Sequence, residues 1–281
     1  MIYLKKTFEY LFKLEKGKRF IVLFLLALPV GFAASFASPN YIYYKWLSNY
    51  SVGNLNFWHA MFYHGTADPV SVAIGAACTL VALMICLSVI SSIVSRNLRV
   101  GVFSINRIIR EFNECIFPSF YAIVLFALVA VFAKLLIAVL MVLFQTLKGV
   151  VLSAILSVLS LVIVVALVCL FISYGILFLP YMTFNGLRPL IAFTQAANRV
   201  GGRTLGKVFT AVFPPIILNY ITAGLVGIAQ VYIASLVVET VLYTASIVYL
   251  VTLSFISYYE VNELPREDYP REFFYTKLKR R

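Results

Sequence analysis

Two charged side chains lie inside apolar runs of the sequence and are the first candidates for chemistry. Lys134 lies within the run 119–144, and Glu239 lies near the start of the run 236–258. Lys134 is ten residues from the outer end of its run, or about 15 Å along an α-helix, which a lysine stem does not easily bridge. A charge at that depth needs a partner or a water-filled cavity. The sequence favours a structural role for Lys134, either in an ion pair with Glu239 or as a residue that snorkels from a shifted span. The functional alternative is an anion-binding Lys134 in a translocation path.

A second kind of chemistry is suggested by arginines between the apolar runs. Arg107 and Arg110 follow the second run, and Arg199 and Arg203 follow the fourth. Apolar residues recur at helical spacing in both segments, and in the stretch before the first run. Such amphipathic helices lie in the headgroup plane of a membrane with their cations near lipid phosphates. We therefore expect these four arginines to contact anionic headgroups.

Motifs of catalysis do not occur in the sequence. There is no HExxH, GxSxG or Walker A motif and no dinucleotide fingerprint, and no acidic pair lies within an apolar run. Two histidines five residues apart, His59 and His64, do not make a metal site alone. The four cysteines form no CxxC or CxxH pattern. We therefore expect a protein without enzymatic activity, metal or cofactor.

The elements that position these residues are membrane spans. The chain of 281 residues is 62% hydrophobic and 12% charged, whereas soluble domains have about 45–50% apolar and about 25% charged residues. A span needs about 20 apolar residues. Six runs qualify, and their predicted bounds are 20–39, 70–94, 119–144, 149–178, 209–233 and 236–258.

The distribution of cations sets the orientation of these runs. Twenty of the 23 lysines and arginines lie before the first run, after the second, after the fourth and after the sixth. These segments share one side only if the number of spans is even, and the basic side is cytosolic. The sequence thus predicts six spans in a cytoplasmic-type membrane with both termini in the cytosol. A cleaved signal ending near Phe36-Ala37-Ser38 is the less favoured alternative, because its leader of 19 residues is long. The net charge of +12 then reflects topology and does not indicate nucleic acid.

The predicted fold is an all-α membrane bundle of three hairpins, each preceded by an amphipathic interfacial helix. Its units are 1–94, 95–180 and 181–260, followed by a charged cytosolic tail over 261–281. Small residues allow close packing of the spans, and Ala27, Gly31 and Ser35 share a face of the first. The alternative is that such faces of small residues mediate dimerisation of the protein. The tail is expected to be solvated near anionic lipid, with docking of a soluble partner as its alternative role.

One segment carries a family resemblance. It reads Pro180-Tyr181, then Gly186-Leu187 and Pro189 to Ala192, and it ends at Gly206-Lys207-Val208-Phe209. This resembles the membrane domain shared by YciC-like proteins, the DUF975 group and some glycerophosphodiester phosphodiesterases. The opening Gly17-Lys18-Arg19-Phe20 is similar as well. The resemblance implies a six-span membrane protein without a catalytic site, lacking the soluble phosphodiesterase domain.

A second resemblance covers the same region. Gln195-Ala196-Ala197, three residues, Gly201, nine residues and then Ala211 to Pro214 is similar to the EAA loop of ABC importer permeases. It departs from that loop at Gln195, Ala211 and Phe213. The resemblance implies that Gln195, Ala197 and Gly201 dock a cytosolic ATPase.

The expected function is therefore that of an accessory, scaffold or lipid-contacting subunit of a membrane complex. Its expected partners are anionic membrane lipids and other membrane or cytosolic subunits, with homo-oligomerisation as an alternative. The alternative function is that of an ABC-type permease subunit that moves a small solute.

Overall fold

The computed structural model describes residues 2–37, 69–101, 103, 108–145, 150–229 and 232–268. The chain begins with α1 (Ile2–Phe8), a π-helical turn (Glu9–Lys13) and a 3₁₀ turn (Leu14–Gly17). Three consecutive residues of the last turn, Glu15, Lys16 and Gly17, have positive φ angles. This left-handed stretch separates α1 from the first long helix, α2 (Lys18–Ala37).

Helices make up the rest of the described chain, and no strand occurs in it. They are α3 (Pro69–Val100), α4 (Ile108–Gln145), α5 (Val150–Gly175), α6 (Phe178–Asn185), α7 (Pro189–Val200), α8 (Arg203–Ala229) and α9 (Tyr232–Val261). The prediction of an all-α protein is confirmed for these residues.

Five helical segments in the described part of the chain are long and apolar enough to cross a membrane. They are Ile2–Ser35, Ala77–Val100, Glu111–Ala133, Val162–Asn185 and Ile233–Val261, whereas the apolar segment Thr204–Asn219 of α8 is shorter. Each overlaps a predicted run. Length and composition thus support a membrane-embedded helical protein.

The six longest described helices contact one another in chain order. α2 packs on α3, α3 on α4, α4 on α5, α5 on α8 and α8 on α9, and α9 returns to α2. The contact between α9 and α2 is the most extensive of these, and α9 also reaches α3. The first and last long helices are therefore direct neighbours.

The close approach of α2 and α9 depends on the small residues that the sequence predicts for this role. Ala27 and Ser35 are fully buried, and Ser35 Oγ lies 2.8 Å from Thr240 Oγ1. A Cβ atom on Gly31 would overlap Thr244 Oγ1 and lie 2.7 Å from the carbonyl oxygen of Thr240. The predicted packing face of the first span is confirmed, and α9 is the helix that covers it.

The interfacial segment predicted after the second run is divided between two long helices. Leu98 is buried at the end of α3, and Ile109 is exposed in the first turn of α4. Residues 102 and 104–107, which would form the middle of that segment, lie outside the described residues.

Candidate functional site at the charged end of the bundle

One end of the bundle gathers the ends of several helices and most of the described charges. The backbone N–H of Glu267, beyond α9, donates to the carbonyl of Leu98 in α3 at 3.0 Å. Arg96 and Arg99 of α3 lie 3.8 and 3.5 Å from the Glu111 carboxylate in α4. We call this region the charged end.

A chain of ionised side chains of alternating sign crosses the charged end. It runs Glu15, Arg19, Asp268, Arg266, Glu260 and Lys6. The guanidinium of Arg19 is 3.0 Å from Glu15 and 3.5 Å from Asp268. Arg266 is 2.8 Å from Asp268 and 3.7 Å from Glu260, and Glu260 pairs with Lys6. The ion chain joins the N-terminal segment to the end of α9 and the residues after it.

The centre of the ion chain is buried. The side chains of Asp268, Arg19 and Arg266 are 0%, 3% and 4% exposed. Arg19 also lies over the rings of Tyr10 and Phe103, at 4.8 and 5.8 Å from their centroids, where a desolvated cation is stabilised by the π-system. Because an unpaired buried charge is very costly, these residues hold one another in place. Residues 266 and 268 of the predicted tail are thus buried, with Asp268 paired to Arg19 of α2 and Arg266 to Glu260 of α9, in contrast to the solvated tail that was expected.

A polar pocket of about 540 Å³ lies between α6, α7 and the end of α9. Its lining residues are Tyr181, Asn185, Gln195, Asn198, Arg199 and Asn262. The lining contains one guanidinium, four amides and a phenol, and it contains no carboxylate.

Hydrogen bonds fix the wall that α6 and α9 contribute to this pocket. Tyr181 Oη donates to Asn262 Oδ1 at 3.2 Å, and Tyr258 Oη donates to Asn185 Oδ1 at 3.0 Å. The two tyrosine rings pack edge to face with centroids 5.1 Å apart. Asn262 Nδ2 donates in turn to the carbonyl of Tyr258 at 2.9 Å. These contacts link the side chains of Tyr181, Asn185, Tyr258 and Asn262 to one another.

The opposite wall is formed by α7. This helix has a buried side, an exposed apolar side and a polar side. Pro189 starts the helix after the extended residue Arg188, as proline favours the first helical turn. Ala192, Ala196 and Val200 are buried against the bundle at i, i+4 and i+8. Leu190 is 83% exposed, and Gln195, Asn198 and Arg199 form the polar side that lines the pocket.

The structure brings only some of the predicted site residues together. Gln195 and Arg199, predicted for partner docking and lipid contact, line the same pocket. Ala197 is half-buried on α7, and Gly201 is exposed directly after that helix. Arg107 lies outside the described residues. Arg110 and Arg203 belong to α4 and α8, and the structure describes their backbone positions only.

The two charges predicted within the membrane are placed on different helices. Glu239 lies in α9, is buried, and accepts a hydrogen bond of 2.8 Å from Ser235 Oγ. Lys134 lies in α4, and its side chain is outside the described part. Their pairing remains a prediction.

Sequence reasoning missed four residues of the pocket as site residues. Tyr181 and Asn185 lie within the segment that carries the family resemblance, Asn198 lies on the polar side of α7, and Asn262 follows the last helix directly. The signal that could have identified them is the presence of amide side chains at the ends of apolar helices. Polar side chains are common at such positions, so their spacing alone does not indicate a specific site.

The described residues offer no group of three His, Cys, Asp or Glu that could hold a metal ion. Both histidines lie outside them. Comparison of the chain with family models, curated proteins and solved structures finds no match.

Proposed function

We propose that this chain is a non-enzymatic six-span protein of the cytoplasmic membrane that acts as a scaffold or accessory subunit. In this proposal both termini and the charged end face the cytosol. The interfacial helices contact anionic lipid there, and the exposed side of α7 and the tail offer surfaces to partner subunits.

The observation that carries the scaffold proposal is the buried ion chain. Breaking a buried pair on one side leaves an uncompensated charge and costs about 3–5 kcal/mol. The chain of pairs therefore holds α2, α9 and the N-terminal segment in a single arrangement. A fixed arrangement of these three elements suits a platform for other subunits. It suits a transporter less well, because the helices of a transporter must adopt two arrangements.

The sixth span of the proposal is α8. It has 27 residues and so a length of about 40 Å, more than the about 30 Å of a hydrocarbon core. It packs between α5 and α9, and Asn219 Nδ2 donates to Ser246 Oγ of α9 at 2.7 Å. With six spans the basic segments of the chain lie on one side of the membrane, which agrees with the cations gathered at the charged end.

The topology is tested with reporters fused to each end of the chain. Both fusions should report from the cytosol. Reporters on opposite faces would contradict the six-span arrangement.

The scaffold role is tested by purification of the chain from native membranes in mild detergent. We expect membrane or cytosolic partners without nucleotide-binding activity. Recovery of a stoichiometric ATPase subunit would contradict the scaffold proposal and support the permease.

The permease alternative has one observation in its favour. The segment that is similar to an EAA loop forms a separate short helix, α7, with Gln195 and Gly201 exposed at the charged end. A Cβ on Gly201 would meet only carbonyl oxygens of its own helix, Asn198 at 3.4 Å and Ala197 at 3.8 Å. Gly201→Trp should therefore fold, and it should lose a bound ATPase only if α7 docks one.

A further inference from the structure

We propose that the pocket between α6, α7 and α9 binds the phosphoryl headgroup of an anionic phospholipid. This inference deepens the proposed lipid contact by assigning it to one pocket. It depends on the proposal that the charged end lies at the membrane surface.

The chemistry of the lining favours an oxyanion. Arg199 carries the one guanidinium of the lining, which can hold a phosphate through two parallel hydrogen bonds. Among the hydrogen bonds and ion pairs of the described residues, none engages the side chain of Gln195, Asn198 or Arg199. Their N–H groups remain available to a ligand. The absence of a carboxylate from the lining removes the usual repulsion of an anion.

Asn185 adds a donor whose direction is fixed by the protein. Its Oδ1 accepts the hydrogen bond from Tyr258 Oη, so its Nδ2 group is left to donate elsewhere. Asn262, in contrast, already uses both ends of its amide, with Tyr181 and with the carbonyl of Tyr258. The wall formed by α6 and α9 thus presents the Asn185 amide as a donor opposite the cation on α7.

The size of the pocket points to a headgroup larger than a bare ion. A volume of about 540 Å³ falls within the range of about 300–1,000 Å³ that is typical of small-molecule sites. The amides of Gln195 and Asn198 can both donate and accept hydrogen bonds. They therefore suit the hydroxyl groups of a phosphoglycerol or similar headgroup.

The apolar surface beside the pocket points to a lipid as the source of the phosphate. Leu190 and Ile191 of α7 are 83% and 47% exposed. Phe193 packs against Phe171 of α5, with ring centroids 6.0 Å apart, and Phe171 is itself 39% exposed. Ile191 lies one turn before Gln195, on the side of α7 that lines the pocket, so an exposed apolar side chain adjoins the polar lining. This arrangement suits a lipid with its phosphate in the pocket and its acyl chains against Ile191.

The test is a binding titration on the purified full-length chain in a neutral detergent, followed by native mass spectrometry. The probes are short-chain phosphatidylglycerol, short-chain phosphatidylcholine and glycerol 3-phosphate. The variants are Arg199→Gln and, as a matched control, Arg188→Gln, which removes an exposed arginine next to the same helix but outside the pocket. Circular dichroism verifies that both variants keep their helical content.

We expect Arg199→Gln to weaken phosphatidylglycerol binding about tenfold or more, as loss of a charged hydrogen bond implies. Arg188→Gln should bind like the parent chain. Phosphatidylcholine and glycerol 3-phosphate should bind more weakly than phosphatidylglycerol, the first for lack of net charge and the second for lack of acyl chains.

Three outcomes would overturn the proposal. Equal losses in the two variants would indicate nonspecific attraction to positive charge. Equal binding of glycerol 3-phosphate would identify a soluble phosphate ester as the ligand. Unchanged binding of phosphatidylglycerol by Arg199→Gln would show that the pocket does not hold the lipid headgroup. None of these results would affect the six-span topology, which the terminal reporters test independently.

Discussion

The guanidinium of Arg19 lies 3.5 Å from the carboxylate of Asp268. It also donates to the backbone carbonyl of Asp268 at 3.4 Å. These contacts tie the start of the first long helix to the segment that follows the last. Both side chains are almost completely buried, so each depends on the other for its charge to be tolerated away from water.

Replacement of Asp268 by Asn should strongly destabilise the protein. The change leaves Arg19 and Arg266 without their shared carboxylate, and loss of one partner of a buried pair costs about 3–5 kcal/mol. Thermal unfolding in detergent, followed with a thiol-reactive dye, measures the effect, since Cys86, Cys115 and Cys169 are buried in the folded state. Glu267→Gln is the control, because Glu267 is the exposed neighbour. An equal fall in Tm for both variants would contradict a stabilising role of the buried pair.

Replacement of Arg99 by Gln should have a small effect in the same assay. Arg99 is 51% exposed and pairs with Glu111 at 3.5 Å. Exposed ion pairs contribute about 0–1 kcal/mol, and Glu111 keeps its contact with Arg96 at 3.8 Å. If Arg99→Gln lowered Tm as much as Asp268→Asn does, the exposed and buried ion pairs at the charged end would contribute equally to stability, and the prediction would be contradicted.

Replacement of Gly31 by Ala should disrupt the contact between α2 and α9. The added methyl group would overlap Thr244 and the carbonyl of Thr240, and overpacking of this kind costs about 1–3 kcal/mol. Gly206→Ala in α8 is the matched control, because no atom lies within 4 Å of a Cβ at that position. That control should be neutral or slightly stabilising, as Ala is the better helix former. If Gly31→Ala and Gly206→Ala changed Tm by the same amount, the close packing at Gly31 would be contradicted.

The predicted pair of Lys134 and Glu239 is open to a double-mutant cycle. If the two side chains pair, Lys134→Met and Glu239→Gln should each destabilise the protein, and the double variant should be more stable than the sum of the two changes implies. Coupled residues give interaction energies of about 0.5–3 kcal/mol. Additive effects on Tm would contradict the pair. A loss of solute uptake in Lys134→Met cells without a change in Tm would instead support the translocation path.

Some of this architecture follows from the sequence because local spacing encodes it. The apolar runs locate the helices, and the spacing of Ala27, Gly31 and Ser35 identifies the packing face of α2, because residues four apart share a side of a helix. Two residues of the candidate site were predicted from the sequence of α7, Arg199 from its amphipathic pattern and Gln195 from the resemblance of the same segment to an EAA loop. In each case the information lies within a few turns of one helix.

The ion chain could not be predicted, because its partners are far apart in the sequence. Arg19 and Asp268 are separated by 249 positions, and charges in a terminal segment are usually solvated. The N-terminal segment also departs from the amphipathic α-helix that its spacing predicts, in which Leu4, Phe8, Leu11 and Phe12 would share one face. Leu11 is buried, but Phe8 and Phe12 are exposed and stack on each other with ring centroids 5.6 Å apart. The π-helical turn over Glu9–Lys13 has more residues per turn than an α-helix, so spacing along an ideal helix does not describe this face.

The pairing of α2 with α9 has a consequence for biosynthesis. Ser35 meets Thr240 across 205 positions of the chain, so the ribosome completes almost the whole sequence before the first long helix gains its principal neighbour. Until then Gly31 lacks the contact with Thr240 and Thr244 that covers it in the folded chain, and Arg19 lacks Asp268. A nascent chain arrested before α9 therefore leaves the Gly31 face of α2 uncovered, and Glu15 is the carboxylate of the ion chain that Arg19 can pair with at that stage.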